Sequence, residues 1–195
     1  MNNLDGSLIC IETISITSGF LALDYVTKVE NLNLIEASPV ANGRFLILAQ
    51  MPLSDSTETS FDFSQVREVL NTDQPDSLVD HLHIPEMNLR LLPTLFSLSQ
   101  CSNLQSLIVL ETESVCGLIE ATHLILENPR FTPFEVKIHR AAPCGGYALF
   151  SGPEDESLKM AEFVKAKLHH DLRMAKVECI VQPSHKLKRY FEFED

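Results

Sequence analysis

The chain has 195 residues, 45% of them hydrophobic, and 27 acidic against 15 basic side chains give it a formal net charge of −12 at pH 7. This composition is typical of a folded protein, and the sign of the charge argues against a nucleic-acid-binding surface, which needs clustered basic residues. The N-terminal MNNLDGSLICIE lacks a charged leader, and no apolar run approaches the roughly 20 residues that span a bilayer. We therefore expect a cytosolic protein that binds neither membrane nor nucleic acid.

The first half of the chain alternates β-like and helical patterns. The predicted elements are a strand at 8–13, a helix over 16–29, strands at 32–37 and 44–50, a helix at 63–70 and a strand at 79–84. Helical spacing of Ile16, Phe20, Leu23 and Thr27 predicts the buried face of the first helix.

The second half repeats the first. Displaced by 99 positions, SLICIET at 7–13 aligns with SLIVLET at 106–112, Ser15 with Ser114, and Ala22 with Ala121. The predicted elements are a strand at 106–112, a helix over 115–127, strands at 131–138 and 147–151, a helix over 155–172 and a strand at 177–182. In the last helix the predicted buried face consists of Leu158, Ala161, Val164 and Leu168.

Both halves have the order β-α-β-β-α-β, which predicts two tandem ferredoxin-like domains of the α+β class. We expect the first domain at residues 1–85 and the second, with a C-terminal tail, at residues 105–195. The linker 86–104 contains the apolar residues Leu89, Leu91, Leu92, Leu95, Phe96 and Leu98. This content predicts a linker that packs against the domains.

The five cysteines are odd in number and have no CxxC spacing, which favours reduced thiols. Cys10, Cys116 and Cys179 lie in apolar segments and are expected to be buried as small hydrophobic residues. Cys144 is different, because it lies in the turn APCGG before an apolar strand.

This duplicated pattern resembles the bacterial microcompartment shell proteins in their tandem-domain form. The resemblance is carried by the strand ends Ile11-Glu12-Thr13 and Leu110-Glu111-Thr112 and by the turns Ala41-Asn42-Gly43 and Cys144-Gly145-Gly146. It implies a structural protein, not an enzyme, located in the shell of a cytoplasmic microcompartment together with other shell proteins. Three copies would form a homotrimer with the outline of a hexamer and a central pore for small polar metabolites or electrons.

The resemblance also implies which residues line that pore. They are Ala41, Asn42, Gly43, Pro143, Cys144, Gly145 and Gly146. Small residues suit a symmetry axis, where there is little room for side chains. Some tandem members hold an iron–sulfur cluster on three copies of a cysteine in such a turn, which makes Cys144 a candidate ligand. The alternatives are a small residue in a tight turn and a redox-sensitive thiol.

Two positions at the expected subunit edge depart from the family pattern. Lys28 matches the edge lysine of the first repeat, but Glu127 occupies that position in the second. Ile84-Pro85-Glu86 and Gln182-Pro183-Ser184 contain no arginine where members have one, and neither Glu nor Ser replaces its planar set of donors. The alternative function is a free-standing trimer that binds a ligand or an iron–sulfur cluster without joining a shell.

Two other sets of residues contain the side-chain types of an active site or a metal site. His139, Cys144 and the acidic pair Asp155-Glu156 contain the residue types of a Cys-His-acid nucleophile, whose identification requires geometry. His81 and His83 alternate along a strand and would share one face, as a metal site or, by the simpler interpretation, as a polar strand face at a subunit contact.

Overall fold

A computed structural model describes residues 6–52, 61–71, 76–96, 104–140, 144–168, 173, 175–184 and 186–187. The elements are β1 (Gly6–Thr13), α1 (Ile16–Val26), β2 (Asn33–Pro39), β3 (Phe45–Pro52), α2 (Phe63–Asn71), β4 (Leu78–Ile84), α3 (Leu91–Phe96), β5 (Ser106–Thr112), α4 (Val115–Leu126), β6 (Thr132–Ile138), β7 (Gly146–Gly152), α5 (Glu154–Lys167) and β8 (Ala175–Val181). Apart from α3, which lies in the predicted linker, their order agrees with the order predicted from the sequence.

Each repeat forms one antiparallel sheet of four strands. Sheet A has the order β2-β3-β1-β4, and sheet B has the equivalent order β6-β7-β5-β8. Within each sheet the first strand of the repeat lies between the third and the fourth. This is the ferredoxin-like arrangement, so the predicted fold class of two tandem α+β units is confirmed.

Equivalent serines begin the first helix of each repeat. The Ser15 hydroxyl accepts a hydrogen bond from the Ser18 backbone N–H at 3.2 Å. The Ser114 hydroxyl accepts one from Gly117 N–H at 2.9 Å. Such caps satisfy backbone donors that have no partner within the helix. The match of Ser15 with Ser114 in the sequence therefore marks the same structural position twice.

The strand β1 is buried on both faces. Ile9 and Ile11 pack with α1 and α2, whereas Leu8 and Cys10 belong to a second cluster that includes α3 and α4. Successive side chains of a strand point to opposite faces, so this division follows from the pleat. The face of sheet A that carries Leu8 and Cys10 is therefore covered by the second repeat.

Helix α4 lies between the two sheets and contacts strands of both. One cluster joins its side chains to Leu8 and Cys10 of sheet A and to Ile108 and Leu110 of sheet B. Nine of its twelve residues are buried. A helix that is apolar on most of its circumference requires such enclosure.

The described part of the segment between the two sheets packs through some of its apolar residues only. Leu91, Leu92 and Leu95 of α3 are buried in the cluster that includes α4. Leu89 and Phe96 are exposed, contrary to the prediction. Phe96 ends α3, whose six residues turn only part of their circumference toward the core, and Leu89 precedes that helix. Leu98 and Cys101 lie outside the described residues.

The predicted buried face of α1 is wrong. Ser18, Gly19 and Ala22 face the sheet, whereas Ile16 and Phe20 are 45% and 59% exposed. The helix approaches so closely that a Cβ on Gly19 would lie 2.4 Å from the Phe45 side chain. Small residues on the inner face permit this approach, and the large apolar residues are left on the outer face.

In α5 the predicted face is partly wrong. Ala161, Val164 and Leu168 are buried, but Leu158 is 53% exposed and Ser157 takes the inner position. The Ser157 hydroxyl donates to the Pro153 carbonyl at 2.7 Å, so its burial leaves no unpaired donor.

Candidate functional site

The turn between β2 and β3 is formed by Ala41, Asn42 and Gly43. Asn42 and Gly43 have left-handed φ angles of 60° and 72°. A Cβ on Gly43 would meet no atom within 4 Å, so glycine is favoured there by backbone conformation and not by crowding. Ala41 is buried, and Asn42 and Gly43 are exposed at the tip of the turn.

The equivalent turn between β6 and β7 is crowded. A Cβ on Gly145 would lie 2.4 Å from the Ser114 carbonyl carbon, and one on Gly146 would lie 2.3 Å from the Lys137 carbonyl oxygen. Both glycines are buried, so their small size is required by the packing of the chain itself. Cys144 is partly exposed. Pro143 lies outside the described residues.

The two turns contact each other. The Ala41 N–H donates to the His139 carbonyl at 3.0 Å. Arg140, beside the second turn, forms an ion pair with Glu36 of the first repeat at 3.0 Å. The first turn and the segment that leads into the second turn therefore lie side by side.

Cys144 and His139 are in contact, with Cys144 Sγ 3.2 Å from His139 Nδ1. Partial burial and the negative charge of Glu111 raise the pKa of the Cys144 thiol. A nucleophilic cysteine normally has a lowered pKa. Glu156, one of the two acids predicted beside this pair, instead accepts hydrogen bonds from the side chains of Asn128 and Arg130. This arrangement lacks the electrostatics of an activated thiol.

Within the part of the chain that the structure describes, no group of three or more His, Cys, Asp or Glu residues comes together as a metal site. Cys144 offers one sulfur per chain. The residues therefore fit an iron–sulfur cluster only if several copies bring their Cys144 side chains together.

Glu12, near the end of β1, links the first repeat to the second through hydrogen bonds. The Val115 N–H at the start of α4 donates to Glu12 Oε2 at 2.9 Å, and Arg44 Nη1 donates to Glu12 Oε1 at 2.9 Å. Glu12 is 1% exposed. Burial raises its pKa, and the bond from Arg44 offsets that increase only in part.

Asp80 on β4 forms a second link to α4. Its carboxylate accepts from the Ser114 hydroxyl at 2.8 Å and from Arg173 Nη2 at 2.9 Å. Arg173 Nη1 also donates to Glu120 of α4 at 2.6 Å. This network was not predicted from the sequence. The repeated Glu-Thr pair was the signal that could have pointed to Glu12, whereas Asp80 and Arg173 carry no local signature.

Two thiols meet between the repeats. Cys10 Sγ and Cys116 Sγ are 3.0 Å apart, and both residues are fully buried. Burial raises the pKa of both thiols. The expected burial of these two cysteines is confirmed, whereas Cys179 is only half-buried.

The other candidate residues lie away from the turns. His81 packs on the Phe63 ring of α2, with the ring centroids 4.3 Å apart, and both His81 and His83 are partly exposed. Burial lowers the pKa of His81 and of His83. Lys28 forms an exposed ion pair, with its Nζ 2.5 Å from Asp24 Oδ2. At the corresponding position of the second repeat, Glu127 Oε1 lies 3.5 Å from His123 Nε2.

Comparison with known proteins agrees with these observations. No protein-family model matches the chain. Bacterial microcompartment shell protein PduT from Citrobacter freundii is 27% identical over 139 residues, which cover 70% of this chain and 69% of the relative. A crystal structure of a microcompartments protein from Desulfitobacterium hafniense superposes with a TM-score of 0.71 at 20% identity, over 94% of this chain and 98% of the other.

The sequence relative confirms the predicted resemblance to the tandem microcompartment shell proteins. The structural similarity shows the same fold. None of the described helices is long and apolar enough to cross a membrane.

Proposed function

We propose that the chain is a structural subunit of a bacterial microcompartment shell, and that three copies form a pseudohexamer around a pore for small polar metabolites. The observation that carries this proposal is the hydrogen bond from Ala41 N–H to the His139 carbonyl, which sets one turn of each repeat side by side. Such a pair is one third of a ring in which the two kinds of turn alternate.

The proposed pore lining follows from this pairing. Among the residues of the proposed lining that the structure describes, Asn42, Gly43 and Cys144 have accessible surface. The proposed lining also includes Pro143 and the buried residues Ala41, Gly145 and Gly146, and these three buried residues hold the shape of the turns. Because the exposed groups are small and polar, the ring would admit small polar solutes in preference to apolar ones.

Further parts of the proposal come from the similarity to the shell protein. The domains are residues 1–85 and 105–195, with 86–104 as the packed linker. The subunit acts in the cytoplasmic microcompartment with other shell proteins, carries out no catalysis, and uses Lys28 at its outer edge. The duplicated fold supports this division, because each unit has its own complete sheet.

An iron–sulfur cluster belongs to the same proposal as a property of the trimer. Its protein ligands would be the Cys144 thiolates of three copies, and a cluster bound there would supply one-electron transfer through the shell. The raised pKa of the thiol opposes metal binding, because the thiolate is the form that binds. Native mass spectrometry on protein purified without oxygen tests this part: the mass of one cluster per trimer, lost in Cys144→Ser, supports it, and a bare trimer rejects it.

The alternative is a free-standing trimer of the same fold. It is favoured by Glu86 and Ser184, which are exposed where the family resemblance implies an edge arginine. Light scattering after size exclusion, followed by electron microscopy of the purified protein, separates these possibilities. A trimer that forms sheets or tubes supports the shell role, and a trimer that stays dispersed alone and with shell proteins favours the alternative. A monomer at all concentrations would refute both.

A further inference from the structure

The contact between the two repeats contains two thiols that the proposed pore does not use. Cys10 lies on β1 and Cys116 is the second residue of α4, and both belong to the cluster that joins the repeats. Their sulfurs are 3.0 Å apart, although the residues are separated by 106 positions in the sequence. At the duplication offset of 99 positions the matching residues are Val109 and Thr17. The repeated pattern therefore does not itself require sulfur at either position.

Hydrogen bonds hold the two thiols opposite each other. Glu12 accepts from the Val115 N–H at 2.9 Å, and Asp80 accepts from the Ser114 hydroxyl at 2.8 Å. These bonds fix the first turn of α4, which carries Cys116, against β1, which carries the other thiol, and against the neighbouring strand β4. A disulfide has its sulfurs about 2.0 Å apart, so a further approach of about 1 Å completes the bond. The thiols therefore stay together for as long as the two repeats are docked.

Burial governs the reactivity of this pair. It raises the pKa of Cys10 and raises that of Cys116 well above its ordinary value, and the negative charges of Glu12 and Asp80 act in the same direction. The hydrogen bond between the thiols lowers the pKa of Cys10 and raises that of Cys116, so Cys10 ionises first. The thiolate is the nucleophilic form, which makes Cys10 the sulfur that attacks an oxidant. Because both side chains are fully buried, this attack requires a local opening that admits a small molecule.

We propose that Cys10 and Cys116 form a disulfide when the chain is exposed to hydrogen peroxide, and that this bond fastens the two repeats covalently. The inference goes beyond the proposed function and does not depend on assembly, because both sulfurs belong to one chain. The bond closes a loop that runs from the first strand of one repeat to the first helix of the next. Closing a long loop restricts the unfolded chain, so the linked protein is the more stable form.

Hydrogen peroxide is the two-electron oxidant of this step. The Cys10 thiolate attacks one peroxide oxygen, the O–O bond breaks, and the hydroxide that leaves takes up the proton that the thiol had lost. Cys10 is then a sulfenic acid. The Cys116 sulfur attacks the Cys10 sulfur, the S–O bond breaks, and the departing hydroxide takes the Cys116 proton. Two thiols and one peroxide thus give one disulfide and two waters.

The experiment exposes the full chain to hydrogen peroxide, stops the reaction with catalase and blocks the remaining thiols with maleimide in denaturant. Exposure continues, with warming where needed, until Cys10 accepts maleimide in a parallel sample without peroxide. Peptide mass spectrometry without reduction should find Cys10 linked to Cys116 as the main disulfide. Cys116→Ala should abolish the link, whereas the matched control Cys179→Ala should retain it, because Cys179 lies on β8 and is not part of the pair.

Two physical changes should accompany the link. On a non-reducing gel the linked chain should migrate faster, because the closed loop compacts the unfolded chain, and dithiothreitol should restore the original mobility. At the same protein concentration, the linked chain should melt about 10 °C above the thiol form.

Three results would overturn the inference. Maleimide labelling of Cys10 without linkage under peroxide would mean that opening separates the sulfurs. A mixture of pairs among the five cysteines, no richer in the Cys10–Cys116 link than the mixture formed in guanidinium chloride, would mean that folding does not align them. A linked chain that melts no higher than the thiol form would mean that the bond does not fasten the repeats. Circular dichroism shows whether each variant is folded, and the unmodified chain gives the result should Cys116→Ala not fold.

Discussion

Replacing Glu12 by alanine removes the carboxylate that joins the two repeats. Glu12 accepts one hydrogen bond from the Val115 N–H and one from Arg44, each at 2.9 Å. Truncation leaves the Val115 N–H buried without this acceptor, which costs about 1–3 kcal/mol. Arg44 still donates to the Glu113 carbonyl, and its side chain is 19% exposed. Water therefore replaces part of the hydrogen bonding that Arg44 loses with the Glu12 carboxylate.

We therefore expect Glu12→Ala to lower the free energy of unfolding by about 3 kcal/mol. For a chain of this length the melting temperature should fall by about 6–12 °C. One core cluster spans both repeats, so urea unfolding should show a single transition whose midpoint falls while its slope is unchanged. The protein concentration is held fixed, because association with other copies would contribute to stability.

The conservative variant Glu12→Gln isolates the charge. Burial raises the pKa of Glu12 above its ordinary value of 4.5, so the native state favours the protonated form. Its contribution to stability is complete below the ordinary value and is lost as the pH rises through the raised pKa. Glutamine cannot ionise, so the advantage of the unmodified chain over Glu12→Gln should shrink as the pH rises above the ordinary value and through the raised pKa.

Two results would contradict this reasoning. A Glu12→Ala protein with unchanged stability would mean that the carboxylate does not hold the repeats together. A Glu12→Gln protein whose deficit grows with pH would mean that the site favours the charged form, contrary to the effect of burial.

Three further predictions concern the turns, the second link and the thiols. Gly43→Ala should lower the free energy of unfolding by only about 1–2 kcal/mol, because its cost comes from the left-handed backbone alone. Gly145→Ala should lower it by about 3 kcal/mol, because its Cβ would clash with the Ser114 backbone. Equal losses in urea unfolding would refute this distinction. Asp80→Asn should cost about 2 kcal/mol by weakening its bonds to the guanidinium, and an unchanged midpoint would contradict that. Peptide mass spectrometry after maleimide treatment should find Cys144 labelled before Cys10, which is fully buried, and the reverse order would mean that the turn is closed.

Local patterns were sufficient to predict the elements. Strand residues alternate or run apolar, the serine caps recur at Ser15 and Ser114, and the duplication let each element be identified twice. These signals act between residues close in the sequence, so they can be read without knowing the fold. The element order and the fold class followed from them.

The face that each helix buries could not be predicted in the same way. Ile16 and Phe20 have the spacing of a core face, yet α1 turns Gly19 and Ala22 inward. Periodicity shows that a face is apolar, but not whether it packs within the chain or on a partner. For the same reason, Leu158 was placed on the wrong side of α5.

By itself, the sequence determined two repeats of one α+β fold, their turns, and the family that they resemble. Tertiary structure alone decided that α4 lies between both sheets, that Glu12 and Asp80 hold its first turn, and that the turns of the two repeats touch. The physical reason is that Glu12 and Val115 are 103 positions apart, and their contact depends on how two complete sheets dock. No local periodicity carries that information.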